Sequence, residues 1–122
     1  MILADTSIWA DHFRRDDARF RFYLEASEII IHPFITGELA LGNLRDRSAT
    51  IEALRALPEA PVVTHEEALV FISAKALAGR GIGYVDAHLL ASTHLMPGAR
   101  LWTRDRRLAA LAFEMAIGFD PA

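Results

Sequence analysis

Two rhythms of apolar positions run through the chain, one continuous over three or four residues and one recurring every three to four. Residues 1–4, MILA, form an unbroken apolar run too short for a helix, stopped at Asp5, and this pattern predicts a buried strand. A brief helix through IWADHF follows. In DDARFRFYLEA, at 16–26, Phe20, Tyr23 and Leu24 fall at helical spacing, and EIII at 28–31 predicts a second strand. Pro33 then opens a long helix, PFITGELALGNL, at a position where a missing N–H costs nothing, and the helix is expected to end before RDRS. ATIEALRAL predicts another helix, closed by PEAP.

VVT at 62–64 predicts a third strand, and HEEALVFISAKALA a helix stopped by the glycines of GRGIG. YVDAHLLASTHL is a further helix, ended by Pro97 and Gly98; RLWT at 100–103 is a fourth strand, and DRRLAALAFEM a last helix capped by Asp105. Strands separated by helices, with no hairpin signal, predict an α/β fold with a parallel sheet covered on both faces. No internal repeat or low-complexity segment interrupts residues 1–122, and 122 residues suit a single domain.

Composition narrows the chemistry. With 52% hydrophobic residues against 24% charged ones, the chain is expected to be globular, with apolar surface left over for a partner. There is no cysteine, which excludes disulfides, thiolate catalysis and cysteine-ligated zinc or iron–sulfur sites. No basic-then-apolar leader and no bilayer-length apolar run are present, so a soluble, cytoplasmic protein with no membrane association is expected. The net charge of −3 gives no whole-chain signal for nucleic acid. Charge distribution says more: all basic residues except Lys75 are arginine, and groups such as Arg45 with Arg47, and Arg100, Arg104, Arg106 and Arg107, suit bidentate phosphate contacts as well as solvated helix faces.

Four carboxylates occupy notable places. In open parallel sheets ligands gather beyond the carboxyl ends of the strands. Asp5 ends the first strand, Asp105 follows RLWT by one arginine, and Asp86 lies near the start of a helix entered through the GRGIG turn. Glu38 is expected inside a mostly apolar helix, sharing a face with Phe34, Ile35, Leu39 and Gly42, where an unpaired charge is costly and a partner is needed. Ordinary roles exist for each: Asp5, with Thr6 and Ser7, as a helix cap; Asp105 as an N-cap; Asp86 as a favourable charge at a helix's positive end; Glu38 paired with Arg45. Capping and metal binding are compatible. Convergent all-oxygen donors favour Mg2+ or Mn2+ over zinc, and such a cation serves phosphodiester hydrolysis by activating a water.

ILADTSIW, ITGELALGNL, GYVDAHLLAS and LWTRDRRL, in this order over residues 2–108, resemble the PIN-domain family, specifically the VapC-type ribonuclease toxins of prokaryotic toxin–antitoxin pairs. The resemblance implies a PIN-like three-layer fold, a central parallel sheet flanked by helices. It implies an endoribonuclease using Mg2+ or Mn2+ that leaves a 5'-phosphate and a 3'-hydroxyl, a homodimer, and inhibition by a cognate VapB-type antitoxin. By the same resemblance Asp5, Glu38, Asp86 and Asp105 are the catalytic and metal-binding acids, with Asp105 often acting through water, and Thr6 and Thr103 are supporting hydroxyls. Arg45, Arg104 and Arg106 are the candidates for RNA backbone contact.

Other residues carry less. The five histidines show no compact ligand motif and are read as structural or surface residues, with His32, directly after a strand, the one placed to approach the site. Trp9 and Trp102 are expected to pack rather than stack on bases, whereas Phe20, Phe22, Tyr23 and Leu24 offer more aromatic surface than one helix face buries and suggest a protein interface. GRGIG lacks the lysine–hydroxyl pair of a phosphate loop. The rival classes are a metal-dependent small-molecule phosphatase, weakened by Ser7 standing where a second aspartate belongs, and a non-catalytic nucleic-acid-binding module.

Overall fold

Three short parallel strands organise the chain, and the computed structural model describes residues 1–121 around them. They are β1 (Ile2–Ala4), β2 (Ile29–Ile30) and β3 (Arg100–Trp102), in the order β2-β1-β3, with Leu3 opposite Ile30 on one side and Leu101 on the other. The central strand is buried along its whole length, as expected of a parallel strand covered on both faces. Seven helices complete the described residues: α1 (Thr6–Arg15), α2 (Ala18–Glu25), α3 (Pro33–Ala40), α4 (Arg47–Arg55), α5 (His65–Ala74), α6 (Tyr84–Leu95) and α7 (Arg106–Glu114). The result is an α/β fold whose central parallel sheet is flanked by helices. The chain leaves β1 for β2 on one side and returns to β3 on the other, so the carboxyl end of β1 is a topological switch point, where such sheets bind ligands.

Two element expectations are corrected. VVT at 62–64 is not a strand: the chain pairs beside the sheet earlier, where Ile31 bridges Glu59, donates its N–H to Pro58 O (2.9 Å) and accepts from Ala60 N (2.8 Å). Thr64 serves instead as the N-cap of α5, its hydroxyl accepting from Glu67 N (3.1 Å) while the Glu67 carboxylate accepts from Thr64 N (2.8 Å). This reciprocal box follows from Thr-x-x-Glu, a signal that outweighs two β-branched residues. The helices α3 and α5 are also shorter than their apolar patterns, ending at Ala40 and Ala74, with the chain turning at Leu41–Gly42 and at Lys75–Ala76.

A cluster of aromatic residues fills the interior beside the sheet. Phe20 is fully buried, edge-on to Trp9 at 4.7 Å and tilted against Trp102 at 5.8 Å, while Tyr23 and Phe119 close over Trp102. Packing is therefore the role of both tryptophans. Of the Phe20 group, from which an interface was expected, Phe20 is buried, Tyr23 and Leu24 are half-buried and Phe22 stands out, 66% exposed. Tyr23 and Leu24 pack onto the core, Tyr23 against the Trp102 and Phe119 rings, which supply surface that one helix lacked. Among the described residues no helix is long and apolar enough to cross a membrane.

Candidate active site

The apolar run of β1 stops at Asp5 because the backbone there passes from sheet to helix. Asp5 N–H still belongs to the sheet, donating to Trp102 O (3.0 Å), while its carboxylate caps α1. Oδ1 accepts from Ser7 N (3.0 Å), Ser7 Oγ (2.5 Å) and Ile8 N (3.4 Å), and Oδ2 accepts from the Thr103 hydroxyl. Burial pushes the Asp5 carboxyl above its ordinary range, and these hydrogen bonds oppose the shift. Asp5 is 7% exposed, so its orientation is set by the protein rather than by water.

Thr103, just past β3, joins Asp5 to Asp105: its hydroxyl donates to Asp5 and accepts from Asp105 N at 3.0 Å. Asp105 in turn caps α7, accepting from Arg107 N (2.9 Å) and Leu108 N (3.1 Å). Asp86 sits in the first turn of α6 and accepts from Gly83 N (3.1 Å). The turn before α6 packs against the start of α7: Gly81, at φ +83°, lies so near Arg107 that an added Cβ would come within 2.7 Å of its Cδ. Gly81→Ala therefore meets both a left-handed backbone and a filled space. Its expected cost is about 1–2 kcal/mol from the backbone alone, with a matching loss of thermal stability in a melting experiment.

Glu38 departs from expectation. It is exposed, not buried in the apolar face of α3, because Ile35 and Leu39 supply the inward positions and Glu38 turns toward α1. There its Oε1 accepts from the Thr6 hydroxyl at 2.6 Å, next to Asp5 in the chain. Among the described residues no ion pair joins Glu38 to Arg45; Arg45 lies in the turn before α4, its carbonyl accepting from Thr50 Oγ1 (2.9 Å).

The four acids share an electrostatic environment. Burial raises the Asp86 carboxyl first, the Gly83 N–H opposes, and the charges of Asp105, Asp5 and Glu38 raise it further. Three helices, α1, α6 and α7, begin at this edge, and their positive ends partly offset the crowding. Hard, anionic oxygen donors that repel one another fit a divalent cation such as Mg2+ in charge and chemistry. As the side chains stand, no group of three or more histidine, aspartate or glutamate residues among the described residues is arranged to hold a metal.

The PIN domain family model matches residues 2–114. Ribonuclease VapC32 of Mycobacterium tuberculosis, from strains CDC 1551 and H37Rv, is 47% identical over 117 residues, covering 96% of this chain and 94% of that protein. The chain belongs to the PIN-domain family. In fold it is also similar to PAE2754 from Pyrobaculum aerophilum, whose crystal structure superposes with a TM-score of 0.56 over 91% of this chain and 78% of the other, at 21% identity.

This PIN domain places its other candidates unevenly. Arg106 is exposed in the first turn of α7, beside Asp105, and Arg104 is exposed and paired with Asp11 on α1. His32 is fully buried and is not a site ligand: its Nδ1 caps α3 by accepting from Phe34 N (3.0 Å), and burial, then the nearby His88, lowers its pKa to about 4. His32, Phe34, His88 and Tyr84 form a continuous series of edge-to-face ring contacts, with His65 Nδ1 2.6 Å from the Tyr84 hydroxyl. The spacing of Tyr84 and His88 carried half of this series; its meeting with His32 and Phe34 is a tertiary fact that periodicity does not encode. The Asp11 carboxylate that braces Arg104 was also outside the reach of the sequence, since the two are 93 positions apart, whereas its pairing with Arg14 is a local i,i+3 contact.

Proposed function

We propose that this PIN domain is an endoribonuclease toxin that hydrolyses RNA phosphodiester bonds with Mg2+ or Mn2+ and is neutralised by a cognate VapB-type antitoxin. The observation that carries the reading is the gathering of acids at the switch point of the sheet, where the Thr103 hydroxyl joins Asp5 to Asp105 and the Thr6 hydroxyl turns Glu38 toward them. The 47% identity to a protein named a ribonuclease supports RNA as the substrate. Asp5, Glu38, Asp86 and Asp105 would hold the cation, which when bound supplies an acidified water and charge neutralisation at phosphorus.

The chain's own residues do the positioning. Ser7 and Thr103 hold the two oxygens of Asp5, Thr103 also fixes the amide of Asp105, and Thr6 holds Glu38. Each acid is thus oriented by a neighbour before any substrate arrives, which limits the reorganisation needed at reaction. Helix starts at α1, α6 and α7 favour negative charge at the same edge, as required for an anionic backbone to approach four carboxylates. A homodimer and antitoxin binding are assigned on kinship alone.

The test is cleavage of labelled structured and single-stranded RNAs by antitoxin-free protein, with Mg2+, Mn2+ or EDTA. Expected is divalent-dependent cutting, abolished by EDTA and reduced by about 100-fold or more in Asp5→Asn, whose cap remains but whose charge is gone. Cutting that persists in EDTA, or in Asp5→Asn at the wild-type rate, overturns the proposed chemistry.

A further inference from the structure

A cavity of about 530 Å³ opens beside the acids on the α1 side, lined by Ser7, Asp11, Arg14, Arg15, Arg104 and Asp17, the last engaged as the N-cap of α2. Asp11 in its lining accepts from Arg14 Nη2 (2.5 Å) at one oxygen and from Arg104 Nη1 at the other. Two guanidiniums from elements far apart in sequence are thereby held by one carboxylate that is 21% exposed. Arg15, on the same helix, forms no ion pair among the described residues and adds a third positive charge. Two acids, Asp11 and Asp17, against three arginines leave the cavity with a net positive charge within a chain of net charge −3.

The cavity is continuous with the catalytic edge through a single residue. Ser7 Oγ donates to Asp5 and accepts from Arg104 N (3.2 Å), so the side chain that orients the acid also forms a wall of the arginine cavity. A guanidinium uses one or two of its five donors on a carboxylate and keeps others for a second anion.

We propose that this cavity is a phosphate subsite for the RNA strand, in which Arg14 and Arg104, braced by Asp11 and assisted by Arg15, grip a backbone phosphate neighbouring the bond presented to the acids. The subsite rests on the reading of this protein as an RNA-cleaving enzyme. Its ligand is a single strand's phosphodiester backbone, since a strand lying across Ser7 reaches both places at once. Asp11 is a positioning residue, which fixes the two guanidiniums without touching the strand.

The test separates binding from cleavage. Equilibrium binding of a fluorescent single-stranded RNA is measured in EDTA across a salt series, for wild type, Arg14→Gln/Arg15→Gln, Arg104→Gln and, as a remote charge control, Arg55→Gln on α4. Expected is affinity weakened on the order of tenfold at low salt in the first two variants, with a log–log salt slope shallower by about 0.7 for each phosphate no longer neutralised, and neither change in Arg55→Gln. RNA carrying a neutral methylphosphonate at one position should bind wild type as weakly as the variants, and the variants should be indifferent to that replacement. Arg14 and Arg15 are surface residues, so the first variant tests the cavity even where Arg104→Gln loosens the loop it braces.

Equal loss in Arg55→Gln, or unchanged affinity and slope in the cavity variants, overturns the subsite. So does binding of an acidic peptide, polyglutamate, that depends on Arg14 and Arg15 while RNA binding does not. Wild-type protein that binds RNA through these arginines but never cleaves it with Mg2+ or Mn2+ sinks the catalytic reading and upholds the subsite.

Discussion

Asp86→Asn is expected to reduce RNA hydrolysis by about 100-fold or more and, in divalent-free buffer at neutral pH, to raise the melting temperature. Both effects follow from the same charge. Burial and the fields of Asp105, Asp5 and Glu38 raise the Asp86 carboxyl above its ordinary value of 3.8, so the ionised form destabilises the folded chain. For a carboxyl raised in the folded state, the associated stability is fully present below the unfolded value and is lost as pH rises through the folded one. Asparagine keeps an oxygen for the Gly83 N–H and removes the titration. The gain should therefore be present at pH 7 and disappear as the pH falls toward 3.8. Melting curves of wild type and variant at both ends of that window decide it; an unchanged or lower melting temperature at pH 7 contradicts the crowding described for these acids. Added Mg2+ should reverse the order, since a cation that binds the folded wild type more tightly stabilises it by mass action.

Phe20→Ala is expected to cost about 3–5 kcal/mol of stability, the range for truncating a fully buried phenylalanine. The melting temperature should fall on the order of 10 °C, which calorimetry or circular dichroism measures directly. Phe20 touches Trp9, four positions after Asp5, and Trp102, one position before Thr103. The ring thus supports α1 and β3 just behind the residues that orient the acid. A loss below about 1 kcal/mol would mean that the cluster repacks around the gap and does not act as a rigid base.

The sequence made the scaffold legible where local chemistry was decisive. Apolar runs ending at Asp5 and at Thr103 located the sheet edge, and Asp5 and Asp105 were readable as caps because aspartate before a helical pattern has few other uses. VVT misled because β-branching at 62–63 is a weak preference, whereas the Thr64–Glu67 box is a specific pair of hydrogen bonds. Glu38 misled differently: helical spacing assigns a face, but it does not say how far that face remains covered beyond Leu39. The Thr6 contact that orients Glu38 spans 32 positions, and the Asp11 brace on Arg104 spans 93, and neither leaves a periodic trace.

Two of the four acids, Asp5 and Asp105, are helix N-caps, where asparagine serves about as well as aspartate does, and a third, Asp86, reaches back to the N–H of the Gly83 cap. Scaffold and chemistry are therefore separable by mutation at the very atoms they share. If these acids carry the proposed chemistry, Asp→Asn changes alone would silence it and leave the fold and its outer surface intact.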